Sequence, residues 1–227
     1  MIRLNMIAEG QTEEAFVNRL LKPHLAFRDV FVAVRCVETG RRGNKIYRGG
    51  LLNYEKARKD ISLWMKEDQD TDARFTTMFD LYRLPDNFPC TENARQQTDI
   101  YNKVQILEGS FAQSINEHRF IPYIQLHEFE ALLFSDIEKL SFYYPDQKPN
   151  ISKLVEQSTQ FANPEHINDG PTTSPSKRII RELSSYYGDK ASAGPEVATQ
   201  IGLPTIRAKC PHFNSWLTHL EGLNNQG

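Results

Sequence analysis

Cysteine is scarce and scattered in this chain. Cys36, Cys90 and Cys210 are the only three in 227 residues. Their odd number and wide spacing exclude a disulfide framework and a zinc-type CxxC pair, and they suit a reducing cytoplasm. No apolar run approaches the length of a membrane span, and the N-terminus lacks the apolar stretch and small-residue cleavage site of a secretory leader. A cytoplasmic protein with no membrane partner is expected. Positive charge is not in excess either. A formal net charge of −2 excludes a polycationic footprint over the whole chain, so any contact with nucleic acid must use a local patch. The Walker phosphate loop, GxGxxG, HExxH and GxSxG are all missing. So are internal repeats and long low-complexity tracts.

What is present is an alternation of strand-like and helix-like segments, in a chain long enough to bury a substantial core. "IRLNMIA" (2–8) reads as a buried strand, and Thr12 to Leu21 as a helix that Pro23 stops. "VFVAVRCVE" (30–38) is a second strand, and basic, glycine-rich "TGRRGNKIYRGG" (39–50) a mobile loop. A helix over Tyr54–Lys66, a strand at "RFTTMFDLY" (74–82) and a helix over Thr98–Ile115 come next. "FIPYIQLH" (120–127) is a fourth strand, running into "EFEALLF" (128–134). The pattern predicts an α/β fold: a mainly parallel central sheet with helices on both faces, over residues 1–140. Residues 141–227 are expected to form a C-terminal helical extension packed on that core and not independent of it. It would include helices over Ser176–Tyr187 and Pro195–Ile201.

In such sheets ligands sit beyond the carboxyl ends of the strands. Glu9 comes after strand one, Asp80 closes strand three and Glu128 comes after strand four, so three strands deliver carboxylates to one edge. Clustered carboxylates repel one another unless a proton or cation compensates, and hard cations such as Mg²⁺ take oxygen ligands. Plainer roles exist for each. Glu13 and Glu14 suit the first turn of a helix capped by Thr12, and Asp80 suits a turn. In an extended segment Glu128 and Glu130 share a side, with Phe129 opposite; in a helix start they would be solvated. Arg41, Arg42, Lys45 and Arg48 are either a solvated loop or phosphate ligands. Lys177 and Arg178 either point away from a helix capped by Ser176 or meet a phosphoryl group.

Taken together, "EGQTEE", "FDLY", "IQLHEFEALLFSD" and "DGPTTSPSKRI" resemble the bacterial domain-of-unknown-function family numbered 4276. That family is similar to the Toprim superfamily of topoisomerases, primases and overcoming-lysogenization-defect nucleases. The resemblance implies that Glu9 is the Toprim glutamate, a general acid/base or metal ligand, and that Glu13 is the second glutamate of the nuclease branch. It makes Asp80 the first acid of the Asp-x-Asp motif, whose second acid is replaced here by Tyr82. Glu128 and Glu130 would stand in for a later acid, and Lys177 would match a late lysine. Implied in turn are Mg²⁺ or Mn²⁺, cleavage of nucleic acid, and a role in antiphage defence beside a partner ATPase. Tyr82 keeps a second outcome open: a degenerate Toprim module that binds nucleic acid or protein without cutting.

Overall fold

The structure is a computed structural model that describes the chain apart from residues 43, 44, 49, 52, 168, 169, 171 and 227. For 38–42, 45–48, 225 and 226 it describes the backbone alone. Strands β1 (Ile2–Ala8), β2 (Val30–Cys36), β3 (Glu38–Arg42), β4 (Lys45–Arg48), β5 (Ala73–Asp80), β6 (Phe120–Ile121) and β7 (Ile124–Gln125) form two sheets. In the central sheet the order is β2-β1-β5-β6, with β7 continuing along β5, and every pairing is parallel. The expected fourth strand is thus two short pieces broken at Pro122-Tyr123, where proline has no N–H for the ladder. β3 and β4 pair antiparallel, which corrects the expectation of a loop over 39–50: backbone pairing closes a hairpin through that basic stretch.

The ladder fixes where the strands end. Ala8 pairs with both Cys36 and Met78, and Asp80 pairs with Gln125. The carboxyl ends of β1, β5 and β7 therefore lie side by side, and the residues just beyond them share one edge.

The helices are α1 (Gln11–Phe16), α2 (Lys22–Ala26), α3 (Tyr54–Glu67), α4 (Thr91–Arg95), α5 (Ile100–Ile115), α6 (Leu140–Tyr143), α7 (Lys148–Ser158), α8 (Pro175–Glu182), α9 (Tyr186–Ile201), α10 (Leu203–Lys209) and α11 (Pro211–Glu221). On one face of the sheet Ala57, Ile61 and Trp64 of α3 and Val104, Leu107 and Phe111 of α5 pack against Ile7, Phe75 and Phe79. Leu4, Met6 and Met78 point to the other face, against Phe16, Val197, Phe213 and Leu217. Alternation along β1 and β5 thus serves two helical layers. Among the described residues no helix is long and apolar enough to cross a membrane.

Two prolines lie inside helical runs. The helix does not stop at Pro23: a π turn (Val17–Leu21), closed by Lys22 N–H on Val17 O, joins α1 to α2. The proline falls in the first turn after the wide turn has already interrupted the i→i−4 ladder, so its missing N–H costs little. Pro195 does not begin a helix but sits within α9. Burial of Ala193, Val197, Ala198 and Ile201 outweighs the proline penalty there.

Glu165 anchors the C-terminal part and is wholly buried. It accepts the His212 and Phe213 N–H groups at the start of α11, each at 3.0 Å, and the Tyr101 hydroxyl at 3.1 Å. Replacing it with alanine orphans buried donors, at a cost of about 2–4 kcal/mol. Urea unfolding of Glu165→Ala is expected to show this loss, and an unchanged midpoint would contradict the anchoring role.

Candidate metal centre at the carboxyl edge of the sheet

β1 runs into Glu9-Gly10, and the geometry explains both residues. The Glu9 N–H completes the sheet on Met78 O, and its carbonyl accepts Gly50 N–H, both at 3.0 Å. Gly10 precedes α1 in extended conformation and its N–H donates to Glu13 Oε2 at 2.9 Å. A Cβ on residue 10 would stand 3.3 Å from that oxygen, so glycine leaves the Glu13 carboxylate room to fold back. Thr12 is not the cap; Gly10 holds that position, and Glu13 closes the turn.

Asp80 ends β5. Its N–H donates to Glu9 Oε2 at 3.0 Å, and its own Oδ1 accepts Phe129 N–H at 3.0 Å. Segment 128–134 is not extended: Glu128 precedes a 3-10 helix over Phe129–Ser135. The tight turn keeps Glu128 and Glu130 buried at the same edge, where Phe129 packs edge-on to Phe16. Glu128 Oε2 accepts Ser176 N–H, at 2.9 Å, from the first turn of α8. Ser176 is therefore not a side-chain cap; Ser174 occupies the cap position. Glu130 Oε1 meets Lys190 Nζ at 3.1 Å and the Tyr186 hydroxyl at 3.4 Å.

Glu9, Glu13, Asp80, Glu128 and Glu130 are all buried, and their electrostatics are those of one group. Burial pushes Glu9 up to about 7, with the Glu128 charge adding, against the Asp80 N–H, the Arg83 charge and the Leu51 N–H. Glu13 also rises to about 7, through burial and then the charge of Glu9. Asp80 is raised well above the usual range by burial and by Glu13, Glu9, Glu130 and Glu128 together. Burial raises Glu130 as well, opposed by Lys190. Carboxyls so placed hold protons unless a cation replaces them.

Among the described residues no group of three or more His, Cys, Asp or Glu side chains is arranged so that it could hold a metal ion. In donor type the cluster nevertheless fits a hard divalent cation, because all its ligands are oxygens and they share one strand edge. Backbone N–H groups hold one oxygen each of Glu9, Glu13, Asp80 and Glu128.

The expected cations divide. Lys177 is exposed on α8. Arg178 donates to Thr173 O at 2.8 Å and lies 5.0 Å from the Phe161 ring centre, contacts that hold the local chain. The side chains of Arg41, Arg42, Lys45 and Arg48 lie outside the described residues. Tyr82 lies in a 3-10 turn after Asp80, its N–H on His127 O at 3.0 Å. Sequence reasoning missed Lys190, Tyr186 and Arg83. Arg83 was within reach, three residues after Asp80, but Lys190 and Tyr186 meet Glu130 only through the packing of α9.

Fold and site define a parallel α/β protein with a buried acidic cluster at the carboxyl edge of its sheet. The family model of the domain of unknown function DUF4276 matches residues 8–221, and the chain belongs to that family. No curated protein matches. One similar solved structure is the C-terminal region of the Xanthomonas campestris pv. campestris OLD protein. It is 13% identical, with a TM-score of 0.47, covering 100% of this chain and 98% of that one.

Proposed function

We propose that this protein is a Toprim-like, metal-dependent phosphodiesterase that cleaves nucleic acid. The observation that carries this reading is the gathering of five buried acids from separate elements at one strand edge, with Glu9 and Glu13 near 7. In its charged form such a group opposes folding, through desolvation and mutual repulsion. Glu9, Asp80 and one of Glu128 or Glu130 would hold Mg²⁺ or Mn²⁺, with Glu13 completing the set. Such a cation supplies neutralisation of phosphate charge and activation of water.

The chain's own groups do the rest. Glu9 and Glu13, raised to about 7 by burial, would give up their protons as the cation binds, so cation binding and deprotonation go together near neutral pH. Lys190 opposes the burial that raises Glu130 and holds its carboxyl in place. Lys177, on the helix whose N-terminus binds Glu128, is available to a phosphate. The chain has no Walker loop, so ATP-driven action, as in antiphage defence, would require a partner ATPase. Tyr82 in place of the second Toprim acid favours an alternative, a module that binds without cutting.

Calorimetric titration with Mn²⁺ tests the centre directly. Wild type is expected to give binding heat that Glu9→Gln combined with Asp80→Asn abolishes, and equal heats would remove the metal centre. Incubation of plasmid and RNA with Mg²⁺ or Mn²⁺, with and without a partner ATPase, separates the cutting protein from the binding module.

A further inference from the structure

What holds Glu128 and Glu130 decides which of the two can reach a cation. Glu130 Oε1 faces Lys190 Nζ at 3.1 Å, with the Tyr186 hydroxyl at 3.4 Å. Turning Glu130 away would leave that ammonium unpaired, which is costly at a largely buried edge. Glu128 would leave no charge behind, because its Oε2 accepts a neutral donor, the Ser176 N–H, at 2.9 Å.

A second acceptor stands beside that N–H. Ser174 holds the cap position of α8, with φ −59° and ψ 155°, and its carbonyl accepts the Arg178 N–H at 3.0 Å. From such a position a serine hydroxyl ordinarily accepts the N–H two or three residues on. Pro175 has no N–H, so Ser176 carries the first donor of the helix. Yet Ser174 makes no side-chain cap bond, and among the described residues its hydroxyl oxygen is buried without a partner. Ser174 is 0% and Ser176 2% exposed, so bulk water does not satisfy it. An unpaired buried hydroxyl is costly and rare. Glu128 accounts for it: the carboxylate occupies the donor that the hydroxyl would otherwise take.

We propose that Glu128 is the acid that turns to the cation, and that Ser174 is a positioning residue whose hydroxyl then takes over the Ser176 N–H. The proposal rests on the reading of the acidic cluster as a metal centre, and it names the ligand and the exchange that frees it. As the described side chains stand, no group of them is arranged to hold a metal ion, so loading requires a carboxylate to move. Glu9, Glu13 and Asp80 are held by the N–H groups of Asp80, Gly10 and Phe129. Only the fourth donor, on Ser176, has an unpaired serine hydroxyl beside it. One hydrogen bond is lost and one is gained, so α8 keeps its cap when Glu128 leaves.

The test reads melting of the full chain in EDTA and in Mn²⁺, and Mn²⁺ affinity by calorimetry. Ser174→Ala is expected to melt in EDTA at or above wild type, because the hydroxyl it removes is unpaired there. It is expected to bind Mn²⁺ about five-fold more weakly, the worth of one helix cap. In Glu128→Gln, which has no carboxylate to release, Ser174→Ala should leave the remaining Mn²⁺ response unchanged. Three results would overturn the proposal. Ser174→Ala could bind Mn²⁺ like wild type, could lose as much melting temperature in EDTA as in Mn²⁺, or could weaken binding equally with and without Glu128. Wild type that gives no Mn²⁺ heat removes the metal centre and the exchange with it. Wild-type heat that Ser174→Ala keeps in full leaves the centre standing and removes the exchange alone.

Discussion

Raising the pH from about 5 to about 8 in the presence of a chelator is expected to lower the melting temperature, and Mn²⁺ or Mg²⁺ at the upper pH to restore it. Glu9 and Glu13 stand near 7 in the folded chain against 4.5 for an ordinary glutamate, and Asp80 is raised well above its usual value. Between those limits the folded chain retains protons that the unfolded chain has released. The stability they contribute is complete below the unfolded value and disappears as the pH passes through about 7. For Glu9 and Glu13 the loss is on the order of a few kcal/mol each, set by the size of the shift. His212, raised by Glu108 and Glu165 against burial, acts in the same direction. The acids held low by cations, Asp68 and Glu117 beside Arg3 and Arg119, act only at lower pH. Glu9→Gln should flatten the profile, because it removes one of the shifted groups and a charge felt by Glu13 and Asp80. Melting that is flat across this range in wild type would show that the carboxyls do not titrate as a buried cluster.

Why Glu130 differs from its neighbours is a matter of chain connectivity. Glu9, Glu13, Asp80 and Glu128 are each fixed by a backbone N–H, whereas Glu130 is met by the side chains of Lys190 and Tyr186 from α9. Two helices from beyond residue 141 thus close the site: α8 presents its N-terminal Ser176 N–H to Glu128, and α9 brings a cation to Glu130. The apolar layer beneath combines Leu4, Met6 and Val32 with Leu154, Val197 and Leu217. The C-terminal part is therefore part of the acidic centre as well as of the core.

The sheet is legible in the sequence because its signal is local. β-branched and apolar runs at β1, β2 and β5, separated by helical patterns, leave little choice but parallel strands, and parallel strands put Glu9, Asp80 and Glu128 on one edge. Expectation and structure part where local preference loses to tertiary structure. Pro23 reads as a stop, yet a π turn carries the helix past it. Glycines in 39–50 suggest a loop, yet the backbone pairs as a hairpin. "HEFEALLF" alternates like a strand, yet folds as a 3-10 helix once Asp80 captures the Phe129 N–H. Lys190 and Tyr186 carry no motif at all; only the docking of α9 brings them to Glu130.

Asp80→Asn is expected to lower cleavage by about 10³-fold or more, some 4 kcal/mol of transition-state stabilisation, while leaving the fold at neutral pH in place. Both effects come from its position. Asp80 is the one acid whose shift includes the charges of all four others, which makes it the electrostatic centre of the group. Asparagine keeps an oxygen to accept the Phe129 N–H and keeps the backbone N–H on Glu9 Oε2, so the β5 end and the 3-10 turn should stay in place. It removes a titrating carboxyl that burial and the other four acids hold in its protonated form, while Glu9 and Glu13, raised first by their own burial, keep their shifts. A ligand of the cation is thereby lost. The variant should therefore show a weaker dependence of melting on pH than wild type and gain less from Mn²⁺. Cleavage that survives the substitution unchanged would place the chemistry on other residues, and melting that keeps the full pH dependence of wild type would show that Asp80 does not titrate with the cluster.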